Sequence, residues 1–191
     1  MLTSITPLGE RGRHRRWSVT VTAYAAGSTV AGAMMGGALG LLPAPPPRAA
    51  LVVLAVACAL AAALDMRPSL LPTVRRQVNE DWLVTYRGWV CGVGFGTQLG
   101  LGVVTIVTTA SVYVVLLAAG LSGRWSSGAV VGATFGLLRA TPTLLLWSVT
   151  STARLIELSG RLARWAGPAT RLTTALLSGI AVLCASVAVA G

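Results

Sequence analysis

Gly88, Gly92, Gly96 and Gly100 recur at every fourth position in an apolar stretch that runs to Gly120 and whose one charge is Arg87 at its entrance. A helix places such positions on one face, so the stretch offers a bare groove in which a second backbone can settle. Gly94 and Gly102 thicken that groove, and the same spacing returns in Gly32, Gly36 and Gly40 and in Gly128, Gly132 and Gly136. Thr97, Gln98, Thr105, Thr108, Thr109, Ser111 and Tyr113 add hydroxyls and an amide where a lipid-facing helix would carry Leu or Val. Those groups turn toward protein or toward a polar cavity. The pattern therefore supports two readings, close helix packing alone or packing that also encloses a small polar site.

The surrounding chain decides what solvent these helices meet. Of 191 residues, 54% are hydrophobic and 10% charged, with a mean hydropathy of +0.76, which is too apolar for an ordinary soluble domain. At roughly 20 residues per span the length allows five or six crossings with short connections, a single transmembrane domain over residues 1–191. The net charge of +10 comes from arginines placed between apolar runs. Such placement sets topology and does not ask for nucleic acid. Cys58, Cys91 and Cys184 lie singly in apolar runs, which writes neither a disulfide framework nor a zinc site. His14, the one histidine, sits among arginines before the first span, so no cofactor or metal is expected.

Five spans are expected, in an all-α bundle with its N-terminus in the cytoplasm. The first is Trp17 to Leu42, followed by the proline-rich turn Leu41 to Arg48 and a second span from Ala49 to Met66. Arg75, Arg76, Glu80 and Asp81, interleaved with Val74, Val78, Trp82 and Leu83, then suit either a helix in the headgroup region or a solvated loop. The glycine-rich span follows and is longer than one perpendicular helix needs; a break among Gly94, Gly96, Gly100 and Gly102 would make six spans. Beyond the turn Leu121 to Ser127 come Gly128 to Val149, an arginine-rich amphipathic connection from Thr150 to Arg171, and the last span, Leu172 to Ala190. Arginines before Trp17, between Arg67 and Arg87, and between Arg154 and Arg171 fall on one side, with only Arg48 and Arg124 on the other. By the positive-inside rule the first group is cytoplasmic, in an inner membrane crossed several times.

Arg139 is the charge placed deep in the membrane, at a cost of roughly 2.5 to 3.5 kcal/mol on insertion scales, and it must find a partner inside the bundle. Pro142, three residues on, has no amide proton and frees carbonyls at the same level. Three partners are open to Arg139: an anionic solute; an internal strut to Asp65, a freed carbonyl or the Gln98 amide; or an acidic residue of another subunit. Thr97, Gln98, Thr105 and Pro142 complete the candidate cavity lining. Catalytic constellations and phosphate loops are not written in the chain, so an enzyme is not expected.

Gly88 to Val107, and Gly132 to Leu146 with its Phe-Gly-Leu-Leu-Arg-Ala-Thr-Pro-Thr-Leu-Leu-Leu, resemble the later helices of the thiol-disulfide electron carriers of the DsbD and CcdA type. The resemblance covers about half of the chain and rests mainly on glycines. It implies a compact bundle with broken helices around a central cavity, in a wider group that includes small-substrate exporters. That family's chemistry also needs a cysteine beside proline on each of two helices, whereas this chain has Thr97-Gln98 where the second pair would fall and Cys91 nearly two turns earlier.

The expected function is a permease-like protein moving or binding a small, anionic solute at Arg139. The alternatives are an accessory subunit that packs its glycine faces against a membrane partner or a second copy, and a thiol carrier in which Cys91 approaches Cys58 or Cys184.

Overall fold

A single stripe on the first helix seats two of the others. The computed structural model describes Pro7 and residues 16–67, 86–102 and 109–190. The segment with Arg75, Arg76, Glu80, Asp81 and Trp82, expected as a surface helix or a solvated loop, the basic run with His14, and Thr105 and Thr108 lie outside these residues. Within them the chain forms α1 (Trp17–Gly40), α2 (Pro47–Asp65), α3 (Gly88–Gly100), α4 (Ser111–Leu121), α5 (Trp125–Ala140), a 3-10 segment (Thr141–Ser148) and α6 (Thr152–Ala190). No strand occurs among the described residues.

Thr20, Tyr24, Ser28, Gly32, Gly36 and Gly40 form the stripe on α1, spaced by four. Its first half receives α3: Gly92 lies against Thr20, Gly96 against Tyr24 and Ser28, and Gly100 against Ser28 and Gly32. Its second half receives α5, with Gly136 against Ser28, Gly132 against Gly32 and Gly36, and Gly128 against Gly36 and Gly40. The order of these pairs makes α3 parallel to α1 and α5 antiparallel to it. At each of these glycines a Cβ would come within 3.0 Å of the facing backbone, nearer than real Cβ atoms approach. The pairs Gly32 with Gly132 and Gly36 with Gly128 are reciprocal, each aiming its Cα at the other's carbonyl oxygen. This is the geometry in which weak Cα–H···O contacts and dispersion hold helices together where water supplies no hydrophobic drive.

α2 and α6 form the second packing unit. Cys58, Ala61, Ala62 and Leu177 bury together with Ala110, flanked by Leu54, Leu64, Val114 and Ala181. At one end of this pair the Arg48 Nε donates to the Ala188 carbonyl at 2.8 Å, tying the start of α2 to α6. At the other end Asp65, 4% exposed, accepts the Ala110 amide on Oδ1 at 2.6 Å and so caps α4 from a neighbouring helix. The outward sides of both helices carry Val52, Val56, Leu60, Ile180, Leu183 and Val187, a surface suited to lipid.

Three helical segments are long and apolar enough to cross a membrane: Pro47–Asp65, Trp125–Trp147 and Thr152–Ala190. The other two expected spans differ for physical reasons. α1 has the length, but its Gly, Ala, Ser and Thr are suited to close helix contact and lower its apolarity. The glycine-rich stretch is not one helix: α3 ends at Gly100, and Gly102 adopts a left-handed conformation, φ 78°, that a side chain would strain. The shorter apolar helix α4 follows. α6 begins at Thr152 and not near Leu172, so the expected amphipathic connection and the last span are one helix of 39 residues with Pro168 inside it.

Candidate functional site

Ser28 lies midway along α1 and is fully buried at the crossing of three helices. Gly100 of α3 and Gly136 of α5 both close on its backbone oxygen, and its hydroxyl donates to the Gly136 carbonyl at 2.7 Å. A serine fits because a larger side chain would separate the backbones, and its one donor satisfies an acceptor that already belongs to the neighbouring helix. Nothing in the sequence marks Ser28 beyond its place one step before Gly32 in the four-spaced stripe.

The Arg139 group sits against this junction. Its guanidinium Nη1 donates to the Gly102 carbonyl at 3.4 Å and stands over the Phe135 ring, 5.4 Å from its centroid. Phe135 in turn packs on Gly102, where an added Cβ would meet the ring edge at 3.2 Å. The Tyr24 phenol lies within electrostatic reach of Arg139, and both residues are half-buried. The Gly102 carbonyl, two residues beyond the end of α3, therefore receives a charged donor from α5. Asp65, one of the strut partners considered for Arg139, instead engages the Ala110 amide.

Pro142 acts on this level through the backbone. It cannot donate to the Leu138 carbonyl, and the Thr141 hydroxyl supplies that bond at 2.7 Å, with the Leu137 carbonyl at 3.2 Å. α5 ends there and the chain tightens into the 3-10 segment, in which Thr143, 2% exposed, bonds the Ala140 carbonyl at 2.6 Å. The Pro142 side chain is itself exposed. Thr97 and Gln98 are half-buried on the last turn of α3, just before Gly102, while Gly88 is buried at its first. The cysteines divide between two clusters. Cys91 packs with Val21 and Phe95 between α1 and α3, whereas Cys58 belongs to the α2 and α6 cluster within electrostatic reach of Cys184. All three are free thiols. No group of three metal-ligating side chains occurs among the described residues.

These features define a helical, membrane-type protein whose polar groups are used mainly at helix crossings and helix ends. The chain is similar to the methylamine utilization protein MauF of Methylophilus methylotrophus, 30% identical over 177 residues that cover 89% of this chain. The chain spans 61% of the length of that relative. No protein-family model matches the chain. No solved structure matches it.

Proposed function

We propose that this chain is an integral-membrane accessory component of methylamine utilisation, and the observation that carries the proposal is its likeness to a protein of that system. The geometry favours an accessory role over passage of the amine itself. Methylamine is a cation near neutral pH, and Arg139 places a fixed positive charge at the helix crossing, an electrostatic barrier to a cationic solute. In this proposal the protein crosses the inner membrane five times, with the α3 and α4 pair counted as one crossing, and works with other membrane proteins, its own glycine faces being taken up by contacts within the bundle.

Deleting the coding sequence from a strain that uses methylamine should abolish growth on methylamine as nitrogen source and leave growth on ammonium unchanged. Restoration by the wild-type chain but not by Gly132→Leu would tie the defect to the helix junction, while undiminished growth on methylamine would refute the role. The five-crossing arrangement has its own test. Single cysteines at Ser126 and Arg161, placed in a chain with the three native cysteines replaced, should react with impermeant reagents from opposite sides. Labelling from one side would exclude an odd number of crossings between them.

A second reading, a permease for a small anion, draws on the end of α3 at mid-bundle beside Arg139, since interrupted helices often build transporter sites. It predicts saturable anion uptake that Arg139→Leu removes.

A further inference from the structure

α6 is about 58 Å long at 1.5 Å per residue, nearly twice the roughly 30 Å of a bilayer's hydrocarbon core. Its second half packs on α2 through Leu177 and Ala181 and through the Ala188 carbonyl. The first half has another character. Leu155, Leu158, Leu162, Trp165 and Ala169 follow one another by three and four residues, so they share one face. Arg164 and Arg171 point the other way, and Arg154 and Arg161 flank the stripe. With Glu157 paired to Arg161 at 2.6 Å, the segment from Thr152 to Arg171 holds four arginines against one carboxylate, a net +3. Its apolar face is open toward Trp165: Trp165 is 69% exposed and Leu162 43% exposed, while Leu155 and Leu158 nearer the start of the helix are half-buried. A Cβ at Gly160 or Gly167 would meet no atom within 4 Å.

We infer that Thr152–Ala166 lies along an anionic lipid surface, with the Leu155 to Trp165 stripe at the acyl boundary, Arg161 and Arg164 among the phosphates, and Arg171 at headgroup level where the spanning half begins. The occupant follows from charge and from connection. The arginines complement anionic headgroups, and the segment is covalently continuous with a helix that packs in the membrane-type bundle, so a bilayer surface is always within its reach. Trp165 suits the depth where an aromatic ring keeps one edge in the polar layer. Gly167-Pro168 marks the elbow, because Pro168 cannot donate to the Arg164 carbonyl and leaves the helix free to turn from the spanning direction into the surface.

The full chain, with Cys58, Cys91 and Cys184 replaced by alanine, should be labelled with an environment-sensitive fluorophore at Leu162→Cys or, on the polar face, at Gly160→Cys. It is then placed in detergent, in phosphatidylcholine vesicles, and in vesicles that also contain phosphatidylglycerol. Quenching by aqueous acrylamide at Leu162→Cys should fall at least about fivefold in the anionic vesicles relative to the other two media, with a smaller change at Gly160→Cys. Adding Arg161→Ser and Arg164→Ser should weaken docking by roughly 25-fold, about fivefold per arginine, and restore quenching. A label at Ile180→Cys that stays protected throughout verifies that each variant remains inserted. Equal quenching in all three media would mean that the segment projects into water, and equal protection in all three would mean that protein covers it; either result overturns the inference.

Discussion

Gly132→Ala should destabilise the protein by about 2 kcal/mol or more, whereas Gly179→Ala should leave it unchanged or stabilise it by up to about 1 kcal/mol. The two substitutions have the same chemistry and the same helix-propensity gain, and only the surroundings of the new methyl differ. At Gly132 the Cβ would fall on the Gly32 carbonyl and the Gly36 backbone, and neither can move without separating α1 from α5. At Gly179 it would meet no atom within 4 Å. Gly96→Leu and Gly132→Leu should go further and prevent assembly of the bundle, while Gly179→Leu is tolerated. Thermal denaturation in detergent, read together with the fraction eluting as a single species, separates these outcomes. Equal tolerance at Gly96, Gly132 and Gly179 would remove the glycine contacts as the basis of the fold.

Arg139→Leu should lower thermal stability even though it relieves the chain of a charge. The insertion cost of the arginine is common to the packed bundle and to inserted but separated helices, so it largely cancels from the packing equilibrium. What remains is the loss of the donor to the Gly102 carbonyl, about 1 to 3 kcal/mol when a buried acceptor is left unpaired, and of the stacking on Phe135, about 0.5 to 2 kcal/mol. Arg139→Lys should recover part of this, since an ammonium can reach one carbonyl but lacks the planar fork that stacks on the ring. Phe135→Leu should couple to Arg139→Leu in a double-mutant cycle and lose less in the pair than the single losses sum to. If Arg139→Leu leaves the melting temperature unchanged, the guanidinium reaches water or headgroups and the strut does not exist.

The glycine spacing of the sequence locates the faces that pack. Gly92, Gly96 and Gly100 and Gly128, Gly132 and Gly136 all lie at helix contacts, because a period of four on a helix leaves one bare strip and the backbone of a neighbour fills it. Which strip meets which is not written in any one helix. That both converge on α1 follows from the stripe through Thr20, Tyr24 and Ser28 continuing into Gly32, Gly36 and Gly40, where the first three members do not look like packing residues at all. Arg139 is legible as an inward charge from its position between apolar residues, but its partner is a main-chain carbonyl, and carbonyls have no signature in composition. The Asp65 contact is hidden for the same reason, since the Ala110 amide is visible only once α4 is placed. The continuity of α6 through Pro168 differs from the expected division at Leu172, because a change from basic and amphipathic to apolar composition alters what a helix faces without ending it. A proline costs a helix one hydrogen bond and some local strain, and a helix with nothing packed against that turn can accept both.

The accessory role is tested most directly by the initial rate of radiolabelled methylamine entry into cells that carry or lack the chain, measured at equal energisation before metabolism removes label. An accessory component predicts equal entry rates in the two strains, together with loss of growth on methylamine in the strain that lacks the chain. A saturable component of methylamine entry that disappears with the chain and returns with the wild-type protein would contradict it and make the protein a carrier of the amine itself.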